Sequence, residues 1–184
     1  MTTRQALQQE ALRLFRMHGY ERTTVAEVAA AAGVSEMTFY RYFGSKDDVV
    51  FADEYDPLVG ALVAAHAGSE GAIGAIGAAL VEGLVELSAE ELAELRGRIR
   101  LIAETPALRA ALWERQGRTQ ELIADALGGI GGETPSVRAR VAAAVGVAAV
   151  TVALLEWAED EQASLVKLVE AAFAVVAEEA RTRG

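Results

Sequence analysis

Cysteine is absent from the 184-residue chain, and histidine (His18 and His66), proline (three) and tryptophan (two) are scarce. Without cysteine there is no disulfide, no thiol nucleophile and no cysteine-ligated zinc or iron–sulfur centre. Neither histidine sits in a Glu-x-x-His pair, so a carboxylate–histidine metal site inside a helical bundle has no support. No nucleophile–base constellation stands out, which argues against an enzyme and leaves no cofactor implied. The opening MTTRQALQQE lacks an apolar signal core. The longest apolar run, 141–155, is short of the roughly 20 residues that span a bilayer, and its alanines and glycine make a poor lipid-facing surface. A cytoplasmic protein without a membrane span is expected.

Positive charge is also in short supply, with 17 Lys and Arg against 27 Asp and Glu, a net charge of −10. The deficit is segregated. Residues 1–50 hold six basic and six acidic side chains, and all the acidic excess lies beyond them. Only the first segment could approach a polyanion without strong repulsion. What the chain does have is apolar residues, 52% of the total, recurring at helical spacing with no convincing strand alternation. The expected fold class is all-α, with about nine helices.

Leu7, Ala11, Leu14 and Phe15 line one face of a first helix that ends near 18–20. Val25, Val28, Ala29 and Ala32 make a short second helix, opened by a capping-box spacing of Thr24 and Glu27 and closed at Gly33. Ser35 caps a third helix to about Phe43, and Ser45 a fourth expected to run unbroken over about 46–66. Further helices are expected over 71–87, from Ser88 with Glu91 to about 104, after Thr105-Pro106, after Thr134-Pro135 and over 162–181; GlyGlyIleGlyGly at 128–132 reads as a loop. The division expected is 1–45 and 46–184.

Two short helices joined by Gly33-Val34-Ser35 form a helix-turn-helix candidate. The third helix strengthens it, because four of the five residues Phe39 to Phe43 are aromatic. Phe39 and Phe43, four apart, share an inward face. Met37, Tyr40 and Arg41 then fall on the other side, where hydroxyl and guanidinium groups suit phosphate oxygens and base edges.

The segments Thr24-Val-Ala-Glu-Val-Ala-Ala-Ala-Ala-Gly-Val-Ser and Thr38-Phe-Tyr-Arg-Tyr-Phe-Gly-Ser-Lys46-Asp resemble the DNA-binding region of TetR-family transcriptional regulators, over about residues 3–50. The resemblance implies a homodimer of all-helical subunits, each with an N-terminal three-helix DNA module and a variable C-terminal ligand domain. It implies that Thr24 holds a phosphate and that Ser35, Glu36, Met37 and Thr38 sit at the major-groove edge. Tyr40 would donate to a phosphate, and Tyr42 would occupy a slot where many members have histidine. Lys46 would grip the backbone. Ala26 stands where some members carry a base-reading arginine, so fewer direct base contacts are implied. Glu36 could accept from a cytosine amino group, or repel phosphate and only cap its helix.

Farther along, Glu104-Thr-Pro-Ala-Leu-Arg109 with Trp113 and Arg115-Gln116 resembles an actinobacterial subgroup that includes mycofactocin-associated regulators, for which apolar or acyl-type effectors are implied. Trp113, Trp157 and Arg100 are the weak ligand candidates; core packing for the tryptophans and pairing of Arg96, Arg98 and Arg100 with Glu91, Glu94 or Glu104 are the plainer readings. The apolar 141–155 run and the stripe from Leu165 to Val176 suit a dimer through the last two helices. The function expected is a ligand-responsive repressor of palindromic operator DNA, with activation as the alternative sign. An enzyme and a lipid-carrying helical dimer are the rivals.

Overall fold

The structure is a computed structural model that describes residues 2–52, 56–66, 71–128 and 134–181. Among these residues there are ten α-helices and no strand: α1 (Thr3–His18), α2 (Val25–Ala31), α3 (Glu36–Tyr42), α4 (Asp48–Phe51), α5 (Asp56–His66), α6 (Gly71–Val85), α7 (Ala89–Glu104), α8 (Pro106–Gly128), α9 (Val137–Glu159) and α10 (Leu165–Arg181). The expected all-α class holds. The extra helix arises because the segment expected to run over 46–66 is two helices. After α4, Ala52 turns extended at φ −68°, ψ 92°. Pro57 supplies the reason: inside a continuous helix it would lack an N–H donor and clash with the carbonyl four residues before it, whereas the first turn of α5 tolerates it. Residues 53–55, and residues 129–132 of the expected glycine loop, lie outside the described residues.

Local capping chemistry sets most other boundaries. Thr2 and Gln5 close a capping box on α1, and Ser88 and Glu91 bond reciprocally at the start of α7. Pro106 is the first residue of α8, as expected. At α9 the cap is Ser136, whose hydroxyl accepts from the Ala139 N–H, and not Thr134. The helix therefore begins two residues later than Thr134-Pro135 suggested, because a serine directly before Val137 offers the better-placed acceptor.

Two compact units are present: Met1–Asp53 with Leu101–Leu112, and Glu54–Arg100 with Trp113–Gly184. The division expected at 45/46 falls inside the first unit, since α4 packs on α1. In that unit α1 packs on α2 and α2 on α3. Leu7, Phe15, Val28, Phe39, Val49 and Val50 are fully buried there. Each such side chain contributes on the order of 1.5–3 kcal/mol of transfer free energy.

In the second unit α6 packs against α5, α9 and α10, and α9 against α10. Its core includes Val63, Ile76, Val147, Trp157, Leu165, Val169 and Phe173. Gly146 lets α9 approach α6 closely, since a Cβ there would lie 3.0 Å from Ile76 carbons. By length and composition α9 could cross a membrane. Ala142, Ala143, Val147, Ala153 and Trp157 are instead buried in this core, which accounts for its apolar character.

Candidate nucleic-acid interface

The turn between α2 and α3 is built by its backbone. Gly33 takes φ +70°, a left-handed conformation in which a side chain would be strained. That geometry directs the Gly33 N–H to the Ala30 carbonyl at 3.1 Å and the Val34 N–H to the Ala29 carbonyl at 2.9 Å. The paired bonds are a Schellman closure, satisfying carbonyls that the end of α2 leaves free. Ser35 then starts α3, its hydroxyl accepting from the Thr38 N–H at 3.2 Å and lying 3.0 Å from the Thr38 hydroxyl. At the start of α2, the Thr24 hydroxyl accepts from the Glu27 N–H, while the Glu27 carboxylate accepts from the Thr24 N–H at 2.8 Å and its hydroxyl at 2.9 Å. Those bonds, the backbone one first, hold the Glu27 carboxyl below the usual glutamate range.

The aromatic cluster divides as the helical spacing predicts. Phe39 and Phe43 are buried, with ring centroids 5.5 Å apart. Met37 is 81% exposed and Tyr40 53%. Ser35, Glu36 and Arg41 are exposed, Tyr42 is 41% exposed, and Thr38 is half-buried. Tyr40 stands edge-on to Phe39 at 5.5 Å, so its ring is braced while the side chain remains exposed. The Arg41 guanidinium lies 5.3 Å from the centroid of the Tyr42 ring. A seven-residue helix thus presents one apolar, one acidic, one cationic and two phenolic side chains over a phenylalanine base.

Lys46, expected to grip the DNA backbone, also has partners within the protein. Its ammonium donates to the Tyr20 carbonyl at 2.9 Å and the Thr23 carbonyl at 3.1 Å, and sits 4.1 Å from the centroid of the Tyr20 ring. Tyr20 in turn donates its hydroxyl to Asp47 and packs edge-on against Phe15. Two of the three ammonium donors therefore tie the α4 entrance to the α1–α2 turn. Tyr20, Thr23 and Asp47 were missed as parts of this framework. Their partners are 23 to 27 residues away in sequence, and no local spacing signals such a contact.

Residues 8–52 match the family model described as bacterial regulatory proteins, tetR family, and residues 70–181 match the MftR C-terminal domain. The chain belongs to the TetR family. The protein is a transcriptional regulator with a helix-turn-helix DNA-binding domain, not an enzyme, and its C-terminal part is of the mycofactocin-associated kind. Among curated relatives, the HTH-type transcriptional regulator TcmR of Streptomyces glaucescens is 33% identical over 66% of this chain, which spans 59% of that protein's length. MftR of Mycobacterium tuberculosis, named for regulation of mycofactocin biosynthesis, is 28% identical over 95% of this chain and 89% of its own. The fold is also that of the fatty acid degradation regulator FadR from Bacillus halodurans, at TM-score 0.58 and 19% identity over 95% of this chain and 94% of that one. FadR from Thermus thermophilus, solved with lauroyl-CoA, superposes at TM-score 0.51 with 21% identity over 95% and 93%.

In this TetR-family chain the three weak ligand candidates differ in setting. Trp113 is 62% exposed. Trp157 is buried under the Arg96 guanidinium, 4.2 Å from its ring centroid. Arg100 donates twice to the Ala158 carbonyl, at 3.2 and 3.0 Å, and reaches Glu161 at 3.5 Å. Arg96 also donates to the Asp160 carbonyl at 2.7 Å and the Ala163 carbonyl at 3.3 Å. The two arginines clasp the carbonyl end of α9, where a cation complements the helix dipole; for Arg96 and Arg100 these carbonyls stand where pairing with Glu91, Glu94 or Glu104 was expected. None of the three candidates lines the apolar groove of about 1140 Å³ that runs between α6, α9 and α10, past Ile73, Val81, Val145 and Phe173.

Proposed function

We propose that this regulator is a ligand-responsive repressor that binds palindromic operator DNA as a homodimer and is released by a small apolar or acyl-type effector. The observation that carries the reading is the outward face of α3, where Met37, Tyr40 and Arg41 stand clear of the protein while Phe39 and Phe43 anchor the helix beneath them. Ser35, Glu36, Met37 and Thr38 meet the major-groove edge, and Thr24, Tyr40, Arg41 and Tyr42 meet phosphate. Phosphate contacts set register and base-edge contacts set sequence. Lys46 serves by holding the α1–α2 turn. A two-fold pair would set two such helices on half-sites about 34–36 Å apart, or a multiple of that turn.

The dimer reading is supported by apolar side chains left uncovered on the last two helices outside the groove, Val152 at 54% exposure and Val175 at 60%. The effector reading is supported by the groove, which is walled mainly by aliphatic side chains with Arg138 and Glu170 as its charged members, a lining suited to an acyl chain. Lauroyl-CoA in the Thermus FadR structure is a ligand of that chemistry. Release requires that the effector bind the non-DNA conformation more tightly than the DNA-bound one. Such a regulator acts in the cytoplasm, where the chromosome is.

The test is selection of duplexes from a random library, followed by binding of Tyr40→Phe and Arg41→Ala to the selected duplex. A palindromic selected site is expected, with both variants folded and weakened by about 1 kcal/mol or more per lost contact. An acyl-CoA series should weaken binding of the parent. Two variants that bind as tightly as the parent would sink the assignment.

A further inference from the structure

Of the six Lys and Arg side chains in residues 1–52, three are occupied within the protein. Arg13 pairs with Glu10 at 2.7 Å, Arg22 donates to the His18 carbonyl at 2.8 Å, and Lys46 donates to the Tyr20 and Thr23 carbonyls. Arg4, Arg16 and Arg41 have no carboxylate or carbonyl partner among the described residues. Arg4 and Arg41 each lie over an aromatic ring. The Arg4 guanidinium lies 5.7 Å from the centroid of the Phe43 ring, and that of Arg41 lies 5.3 Å from the Tyr42 ring. Two uncompensated cations therefore rest on two consecutive rings at the C-terminal end of α3, one delivered by that helix and one by the first turn of α1. That turn carries no acidic residue.

We infer that Arg4 is a phosphate-binding residue, forming with Arg41 and Tyr42 a clamp for the phosphodiester backbone beside the groove that α3 enters. The inference rests on the DNA-binding reading above and adds a residue from outside the helix-turn-helix. Stacking on Phe43 supplies the physical reason. A ring face holds a guanidinium without using its N–H donors, which reduces the conformational freedom that contact with phosphate must remove. The planar fork then remains free for two parallel bonds to phosphate oxygens. Phe43 is itself fixed, being 3% exposed and packed on Phe39. In a module with equal numbers of acidic and basic residues, position decides which charge DNA meets, and this end of α3 is where unpaired cations collect.

The experiment measures affinity between about 50 and 200 mM salt, a range over which phosphate contacts dominate the change, for a library-selected duplex and an unrelated duplex of equal length. Arg4→Met keeps the apolar stem against Phe43 and removes the charge. Its slope of log affinity on log salt should be shallower than the parent's by about 0.9 per subunit, nearly 2 for a dimer. The same decrement should appear on both duplexes, because the contact carries no base information. Arg4→Lys should retain most of the slope, and Arg16→Ala should match the parent. A parental slope in Arg4→Met overturns the inference, and a lowered melting temperature beside that unchanged slope would assign Arg4 to packing alone. A parent that binds neither duplex overturns the DNA-binding reading itself, a result distinct from the failure of Arg4.

Discussion

The Lys46 ammonium lies 2.9 Å from the Tyr20 carbonyl oxygen and 4.1 Å from the centroid of the same residue's ring. One cation thus satisfies a turn carbonyl and an aromatic face together, while the neighbouring Asp47 takes the Tyr20 hydroxyl. Lys46→Met should lower the stability of the DNA-binding unit by about 1.5–3 kcal/mol, the range for a hydrogen bond to a charged group. A urea melt reads the loss, and any fall in DNA affinity should follow it. Parental stability with lost DNA binding would instead put the ammonium on phosphate.

Glu27 gives a pH prediction with a definite sign. Bonds from the Thr24 N–H and hydroxyl lower its pKa in the folded state. Its contribution to α2 is therefore complete above the ordinary glutamate range and is lost as pH falls through the lower folded value. Glu27→Gln should remove that part of the acid limb in a circular-dichroism titration. Superimposable acid limbs for parent and variant would show that the cap does not depend on charge.

The uncovered valines predict an interface. Val152→Glu combined with Val175→Glu places carboxylates on exposed positions of α9 and α10 outside the groove, where burial against a second copy would be costly. Sedimentation should report a monomer that remains helical, with operator affinity reduced on the order of 100-fold because the two half-sites are no longer engaged together. A doubly substituted protein that still sediments as a dimer would move the interface elsewhere.

Arg96 stacks on Trp157 while donating to two carbonyls in the α9–α10 region. Arg96→Ala should cost about 2 kcal/mol, from the charged hydrogen bonds and the ring contact. Arg96→Lys should recover little, since a point charge cannot stack and bond in two directions as a planar fork does. Thermal unfolding of the three proteins decides it; full recovery in the lysine variant would reduce the role to charge alone.

What could be read from the sequence was chemistry acting over three or four residues. Thr24 with Glu27, Ser35 with Thr38 and Ser88 with Glu91 bond across one helical turn, so residue type and spacing were enough to place those helix starts. Phe39 and Phe43 share a face for the same reason, and their burial leaves Tyr40 outside. Pro57 was also legible as a reason for the break before α5, although the apolar spacing around it had suggested one long helix. Tertiary structure alone decided where the long cationic side chains went. Lys46, Arg96 and Arg100 bond to carbonyls 23 to 67 residues distant, and Arg4 rests on a ring 39 positions along the chain. A flexible charged side chain takes whichever unsatisfied carbonyl or ring face the folded backbone brings within reach, and no local period encodes that meeting.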